Sequence, residues 1–124
     1  MREIVYTDKA PSPIGPYSQA IKCSGEMLFL SGQIALDENG ELNGGIVEQT
    51  QISLNNLKTV LEAAEFQLKD VVKVTVLLVD INDFAKMNDE YEVFFGDSKP
   101  ARAAYQVSAL PKGALVEIEA VACR

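Results

Sequence analysis

The stretch from Pro100 to Cys123 reads PARAAYQVSALPKGALVEIEAVAC. Pro100 fixes an extended entry, and Ala101, Ala103, Tyr105, Val107 and Ala109 then alternate with Arg102, Ala104, Gln106 and Ser108, the period-two signature of a strand. Leu110-Pro111-Lys112-Gly113 breaks the run as a turn. Beyond it Val116, Ile118, Ala120 and Ala122 alternate with Glu117, Glu119, Val121 and Cys123, a second strand. The alternation predicts that Arg102 sits on the more polar face of the first strand and that Glu117 and Glu119 share one face of the second. Charge set into a core-like pattern marks these residues as candidates for chemistry.

The chain holds three arginines, and Arg2 and Arg124 lie at the termini, where order is least expected. Arg102 is then the one arginine expected inside the fold. A planar guanidinium matches a carboxylate or phosphate, so an arginine among alanines reads as an anion seat. It reads equally well as half of a structural ion pair with a glutamate. The residues alone leave both readings open.

Working outward, Glu3 to Tyr6 reads as a short strand, followed by Ala10-Pro11-Ser12-Pro13-Ile14-Gly15-Pro16-Tyr17, a stiff proline loop that holds Tyr17 in place. A strand from Ser18 to Ser24 turns at Gly25-Glu26 into Met27-Leu28-Phe29-Leu30-Ser31-Gly32, whose apolar run predicts burial on both faces. Asp37 to Gly45 is loop, with the Asn39-Gly40 pair favoured where φ is positive. From Ile46 to about Ala64, Thr50, Leu54, Leu57, Leu61 and Ala64 recur at spacings of three and four, which predicts an amphipathic helix. Val71 to Val79 reads as a central, nearly fully buried strand. A second helix spans about Asp83 to Phe95, with Phe84, Met87, Tyr91 and Phe94 as its stripe, Asp80 or Asn82 as cap and Gly96 as its end.

That order predicts an α+β fold with a single mixed sheet and two helices on one face, as one domain over residues 1–124. The uncovered face then needs a partner, and another copy of the chain is the natural one.

Composition removes several functions. Eleven basic residues against 18 acidic ones give a net charge of −7, which repels phosphate backbones, so no nucleic-acid partner is expected. The chain has no histidine, which excludes Ser-His and Cys-His nucleophile pairs and histidine-based zinc sites; no metal site is expected. Cys23 and Cys123 are too far apart for a CxxC motif and read as free, buried thiols. No apolar run approaches a membrane span, and the N-terminus lacks the apolar core of a signal peptide, so a cytoplasmic location without a membrane partner is expected.

Four short stretches, Ile14-Gly15-Pro16-Tyr17-Ser18-Gln19-Ala20, Ser31-Gly32-Gln33-Ile34, Pro100-Ala101-Arg102-Ala103-Ala104 and Glu117-Ile118-Glu119-Ala120, are spaced along the whole chain. Together they resemble the RidA family, also called YjgF or reactive intermediate deaminase A. Asn88, in the second helix, fits as well. The resemblance implies a chorismate-mutase-like fold, a homotrimer with clefts between subunits, and hydrolysis of enamine or imine intermediates such as 2-aminoacrylate and 2-iminobutyrate to 2-oxoacids and ammonia, with no cofactor. By the same resemblance Arg102 holds the substrate carboxylate and Glu117 positions or activates water. Tyr17 and Asn88 line the cleft, and Ser31, Gly32 and the main chain near Ala104 hydrogen-bond the ligand. Glu119 is assigned to structure or to the subunit interface.

The chain departs from the family pattern at two places. Ala104 stands where a cysteine is frequent, so no thiol nucleophile exists there. Glu65 follows the first helix where a glycine is frequent, which asks a side-chain-bearing residue to take a left-handed conformation. Two other functions compete with hydrolysis. One is a binding module for small carboxylates such as 2-oxoacids, without turnover. The other is the ribonuclease or translation-inhibitor activity attributed to some relatives, which the charge and the missing histidine disfavour.

Overall fold

The computed structural model describes residues 1–124 and contains six strands and two helices. In chain order they are β1 (Arg2–Val5), β2 (Ala20–Cys23), β3 (Met27–Gln33), α1 (Ile46–Ala63), β4 (Val71–Leu78), α2 (Phe84–Phe95), β5 (Ala101–Gln106) and β6 (Val116–Cys123). Four of them form a sheet in the order β3-β6-β4-β5. Strand β6 is antiparallel to β3 and to β4, and β5 is parallel to β4. Thus β3, β4 and β5 run in one direction, joined through α1 and α2. Crossovers between parallel strands are right-handed, and both steps cross the sheet the same way, so both helices fall on one face. The fold is α+β, as expected.

Between the helices and the sheet lies the core. Leu54, Leu57 and Leu61 of α1 and Met87, Tyr91 and Phe95 of α2 meet Val74, Val76 and Leu78 of β4 and Val116, Ile118, Ala120 and Ala122 of β6. Truncating one of the buried leucines to alanine costs about 2–5 kcal/mol. Helix α1 starts where the Gly45 N–H donates to the Glu48 carboxylate at 3.0 Å. It ends at Glu65, whose φ of 63° is left-handed, as the departure from glycine there predicted. The Phe66 N–H donates back to the Leu61 carbonyl at 2.9 Å and closes the helix. Ahead of α2, Asp80 rather than Asn82 accepts from the chain, taking the Asn82 N–H at 2.9 Å in the short turn that leads into the helix.

The structure corrects four expectations. The sheet is not single: β1 and β2 pair only with each other, in a separate two-stranded ribbon. The chain passes from this ribbon into the main sheet at Gly25, where any β-carbon would lie 2.2 Å from the Arg124 carbonyl oxygen. The terminal arginines are ordered, because each finds free carbonyls. Arg2 donates to the Val71 carbonyl at 3.2 Å and to that of Ser98, and Arg124 donates to the Glu65 carbonyl at 2.8 Å and to Glu26. Strand β3 is not buried on both faces: Leu30 is buried on the helix side, while Phe29 is 75% exposed. Strand β4, by contrast, is nearly as buried as expected: Val71, Val72, Val74, Val76 and Leu78 are buried, Thr75 and Leu77 half-buried, and Lys73 exposed. Finally, Cys123 is buried but Cys23 is only half-buried; both are free.

Candidate functional site

Arg102 lies next to Val74 in the β4–β5 pairing, and Val74 is fully buried beneath the helices. Partners side by side point to the same face, so Arg102 looks toward α2. Arg102 shares this face with Ala104 and Gln106, as the alternation has it; alternation does not show that this is the face a helix covers.

Its surroundings are built mainly by α2 and by the proline loop. Phe84, Asn88 and Tyr91 are spaced by four and three and so share one side of α2. Asn88 Oδ1 accepts from Arg102 Nη1 at 2.7 Å. The guanidinium carbon sits 4.7 Å from the ring centre of Tyr91, 5.4 Å from that of Tyr17 and 5.5 Å from that of Phe84. Tyr17 is delivered by the loop, which the Gln19 side chain ties down by donating to the Thr7 and Pro11 carbonyls at 3.0 and 2.8 Å. Ser18 then bridges to Ala101 at the start of β5. A β-carbon on Gly15 would lie 3.5 Å from Arg102 Nη2, so the loop main chain closes over the guanidinium.

No carboxylate of the chain pairs with this arginine. The ion pairs are Lys58 with Glu62 and Arg124 with Glu26, both on the surface. Of the two readings left open for Arg102, the intrachain ion pair is therefore removed. Burial pushes the Arg102 pKa down, and the neighbouring phenols of Tyr91 and Tyr17 oppose that; the group nevertheless stays protonated, as arginine does in proteins. The Tyr91 hydroxyl is buried without a hydrogen-bond partner. Burial holds that hydroxyl far above the usual phenol range, with the Arg102 charge acting in the opposite sense.

Glu117 belongs to a second group. It stands opposite Leu77 in the β4–β6 pairing, and Glu119 stands opposite Thr75, on the face that the helices leave bare. The β3–β6 register slips between Leu30 and Gln33. Ser31 and Gly32 form this irregularity, and both are exposed. A bulge of this kind leaves main-chain groups unpaired. Gly32 has to be bare: a β-carbon there would lie 2.7 Å from Glu117 Oε2 and 2.8 Å from its Cδ. The Glu117 carboxylate thus rests against the β3 main chain. Glu119 is exposed in a shallow concavity with Phe29, Lys73, Thr75 and Val121.

The residues singled out in the sequence accordingly fall into two sets. Arg102, Asn88 and Tyr17 come together on the helix side of the edge strand β5, with Ala104 two residues along, its methyl packed against the core. Ser31, Gly32 and Glu117 come together on the bare face at β3 and β6. Phe84, Tyr91 and Gly15 were not singled out for the site. The i, i+4, i+7 spacing of Phe84, Asn88 and Tyr91 was the available signal.

The family described as Endoribonuclease L-PSP matches residues 7–124. The chain belongs to that family, the group of RidA and YjgF that its motifs resemble. Among its relatives, a RutC family protein of Pyrococcus horikoshii is 57% identical, with 98% of both chains covered. The human protein named 2-iminobutanoate/2-iminopropanoate deaminase is 49% identical over 98% of this chain and 90% of its own. Among solved structures, the Rid family protein YyfB of Yersinia pestis superimposes with a TM-score of 0.89 at 34% identity, covering 99% of this chain and 98% of that one. Escherichia coli TdcF, solved with bound serine, gives 0.77 at 40% identity, with 98% of both chains covered.

Proposed function

We propose that this protein hydrolyses short 2-imino acids and their enamine tautomers, such as 2-iminobutyrate and 2-aminoacrylate, to 2-oxoacids and ammonia. The carrying observation is the half-buried Arg102 guanidinium, which lacks a carboxylate partner in its own chain. A charge kept out of water and unpaired is costly unless a ligand completes it. The relatives named deaminases, about half identical to this chain, supply the substrate class.

The chemistry asks little of the protein. An enamine first tautomerises, C3 gaining a proton as the nitrogen loses one. Water then adds to the C=N carbon, the nitrogen gains protons, and the C–N bond breaks to release ammonia and leave the C=O of the 2-oxoacid. In this reading Arg102 grips the carboxylate with its two-pronged donor edge and fixes the position of the C=N carbon. Glu117 orients the water and carries its proton to the departing nitrogen. Tyr17 and Asn88 border the pocket. Main-chain groups at Ser31, Gly32 and the outer edge of β5 near Ala104 supply further hydrogen bonds, and no cofactor enters.

Arg102 and Glu117 lie on opposite faces of the sheet of one chain, so the same reading requires the site to assemble between copies. The Arg102 edge of one protomer faces the bare sheet of the next. The exposed Phe29, with Met27 and Tyr105 exposed on the same face, is the apolar surface that such packing covers. A closed ring of three RidA-like domains, each spanning residues 1–124 in a chorismate-mutase-like arrangement, satisfies the requirement.

The test is ammonia release from freshly generated 2-aminoacrylate. Release clearly faster than spontaneous decay is expected. Decay at the spontaneous rate, with 2-oxoacid still bound, would leave the protein a carboxylate-binding module. RNA cleavage has no support in a chain of net charge −7 without histidine.

A further inference from the structure

We propose that Asn88 is a positioning residue whose neutrality is its purpose: it aims the Arg102 guanidinium through one hydrogen bond while leaving its charge for a carboxylate ligand. This inference rests on the clamp reading of Arg102 given above.

The geometry around Arg102 is selective in what it omits. One donor is spent on Asn88 Oδ1 at 2.7 Å, and the rest of the contact surface is aromatic, from Tyr91, Tyr17 and Phe84. The titratable groups that act on the guanidinium are the phenols of Tyr91 and Tyr17. From β4 the neighbour is Val74. An aspartate at position 88 has the same shape and reach as asparagine and accepts the same bond more strongly. It also neutralises the arginine in place. A substrate carboxylate then has to compete with a covalently tethered one that needs no binding entropy to arrive.

The experiment is calorimetric titration of the intact protein with 2-oxobutyrate, the stable product of 2-iminobutyrate hydrolysis, for wild type and the Asn88→Asp, Asn88→Ala and Arg102→Ala variants. At neutral pH Asn88→Asp is expected to bind about ten- to a hundredfold more weakly, the worth of one charge-assisted hydrogen bond. Asn88→Ala, which loses the aim but not the charge, is expected to bind only severalfold more weakly.

A pH series separates neutralisation from mere distortion. In Asn88→Asp the incoming carboxylate raises the pKa of the aspartate beside it, so binding takes up a proton and tightens as the pH falls from neutrality. Asn88→Ala has no such group and shows no such trend. Asn88→Asp binding equal to wild type, or weakened without any pH trend, overturns the proposal. Arg102→Ala binding equal to wild type overturns instead the clamp reading on which it rests. Should Asn88→Asp not fold, the KM and kcat of Asn88→Ala decide: a severalfold rise in KM with kcat nearly unchanged supports the positioning role, and an unchanged KM removes it.

Discussion

Around Arg102 the chain supplies almost everything itself: a hydrogen bond from α2, three aromatic rings and a loop main chain that closes over the guanidinium. Around Glu117 it supplies only a place. The carboxylate lies against Gly32 and an irregular β3 register, on a sheet face where Phe29 is mostly exposed. On the proposed reading, the difference divides the labour of one reaction. Gripping a carboxylate needs a rigid, desolvated donor, which a folded chain builds on its own. Positioning water beside the imine falls, on the same reading, to a carboxylate that a second copy would enclose.

Replacing the reactive end of the Glu117 group sharpens that contrast most. Glu117→Gln keeps shape and hydrogen-bonding capacity but cannot carry a proton, so kcat is expected to fall by about 10²–10⁴-fold, with 2-oxobutyrate affinity nearly unchanged. Turnover within about twofold of wild type would make Glu117 structural and break the comparison.

Next in size is the clamp. Arg102→Ala is expected to lower kcat/KM about a hundredfold, the equivalent of one or two charge-assisted hydrogen bonds. Because no carboxylate of its own chain pairs with Arg102, the variant is expected to stay folded. A loss of about 3–5 kcal/mol in stability would reveal a buried ion-pair partner after all. Arg102→Lys is expected to remain several-fold impaired, since a point charge lacks the fork.

Much of this arrangement was legible in the sequence. Period-two alternation located β4, β5 and β6, and spacings of three and four located α1 and α2, because burial on one side imposes those periods directly. Which face a helix would cover was not legible, and so the α2 side chains around Arg102 were not foreseen as a set. The separate β1–β2 ribbon also escaped, because alternation finds strands without showing their partners: β2 leads directly toward β3 yet pairs with β1. Tyr91 reads as a core aromatic in any helix stripe, and only its 4.7 Å approach to Arg102 gives it a second role.

That second role has its own, smaller test. Tyr91→Leu removes the ring beneath the guanidinium and is expected to raise KM by about three- to tenfold, within the range of a partly desolvated cation–π contact. Tyr91→Phe restores the ring and discards a hydroxyl that is buried without a partner. It is expected to match wild type in KM and to be no less stable. A Phe variant as impaired as Leu would show that the hydroxyl, not the ring, matters.

The smallest effect lies away from both groups. Glu65 holds a left-handed φ of 63°, and its bond to Arg124 is made by its carbonyl, so Glu65→Gly keeps that bond. The substitution is expected to stabilise by about 1 kcal/mol, read as a rise of a few degrees in Tm with activity unchanged.

The central claim is that Arg102 of one copy and Glu117 of another act on one substrate. Mixing the inactive Arg102→Ala and Glu117→Gln proteins, by co-expression or by dissociation and reassembly, tests it most directly. Where subunits distribute at random in a closed ring, each interface has about one chance in four of pairing an intact Arg102 with an intact Glu117. The mixture is therefore expected to regain about a quarter of wild-type imine hydrolysis. A mixture that forms hybrid oligomers yet remains as inactive as its parents would contradict the account.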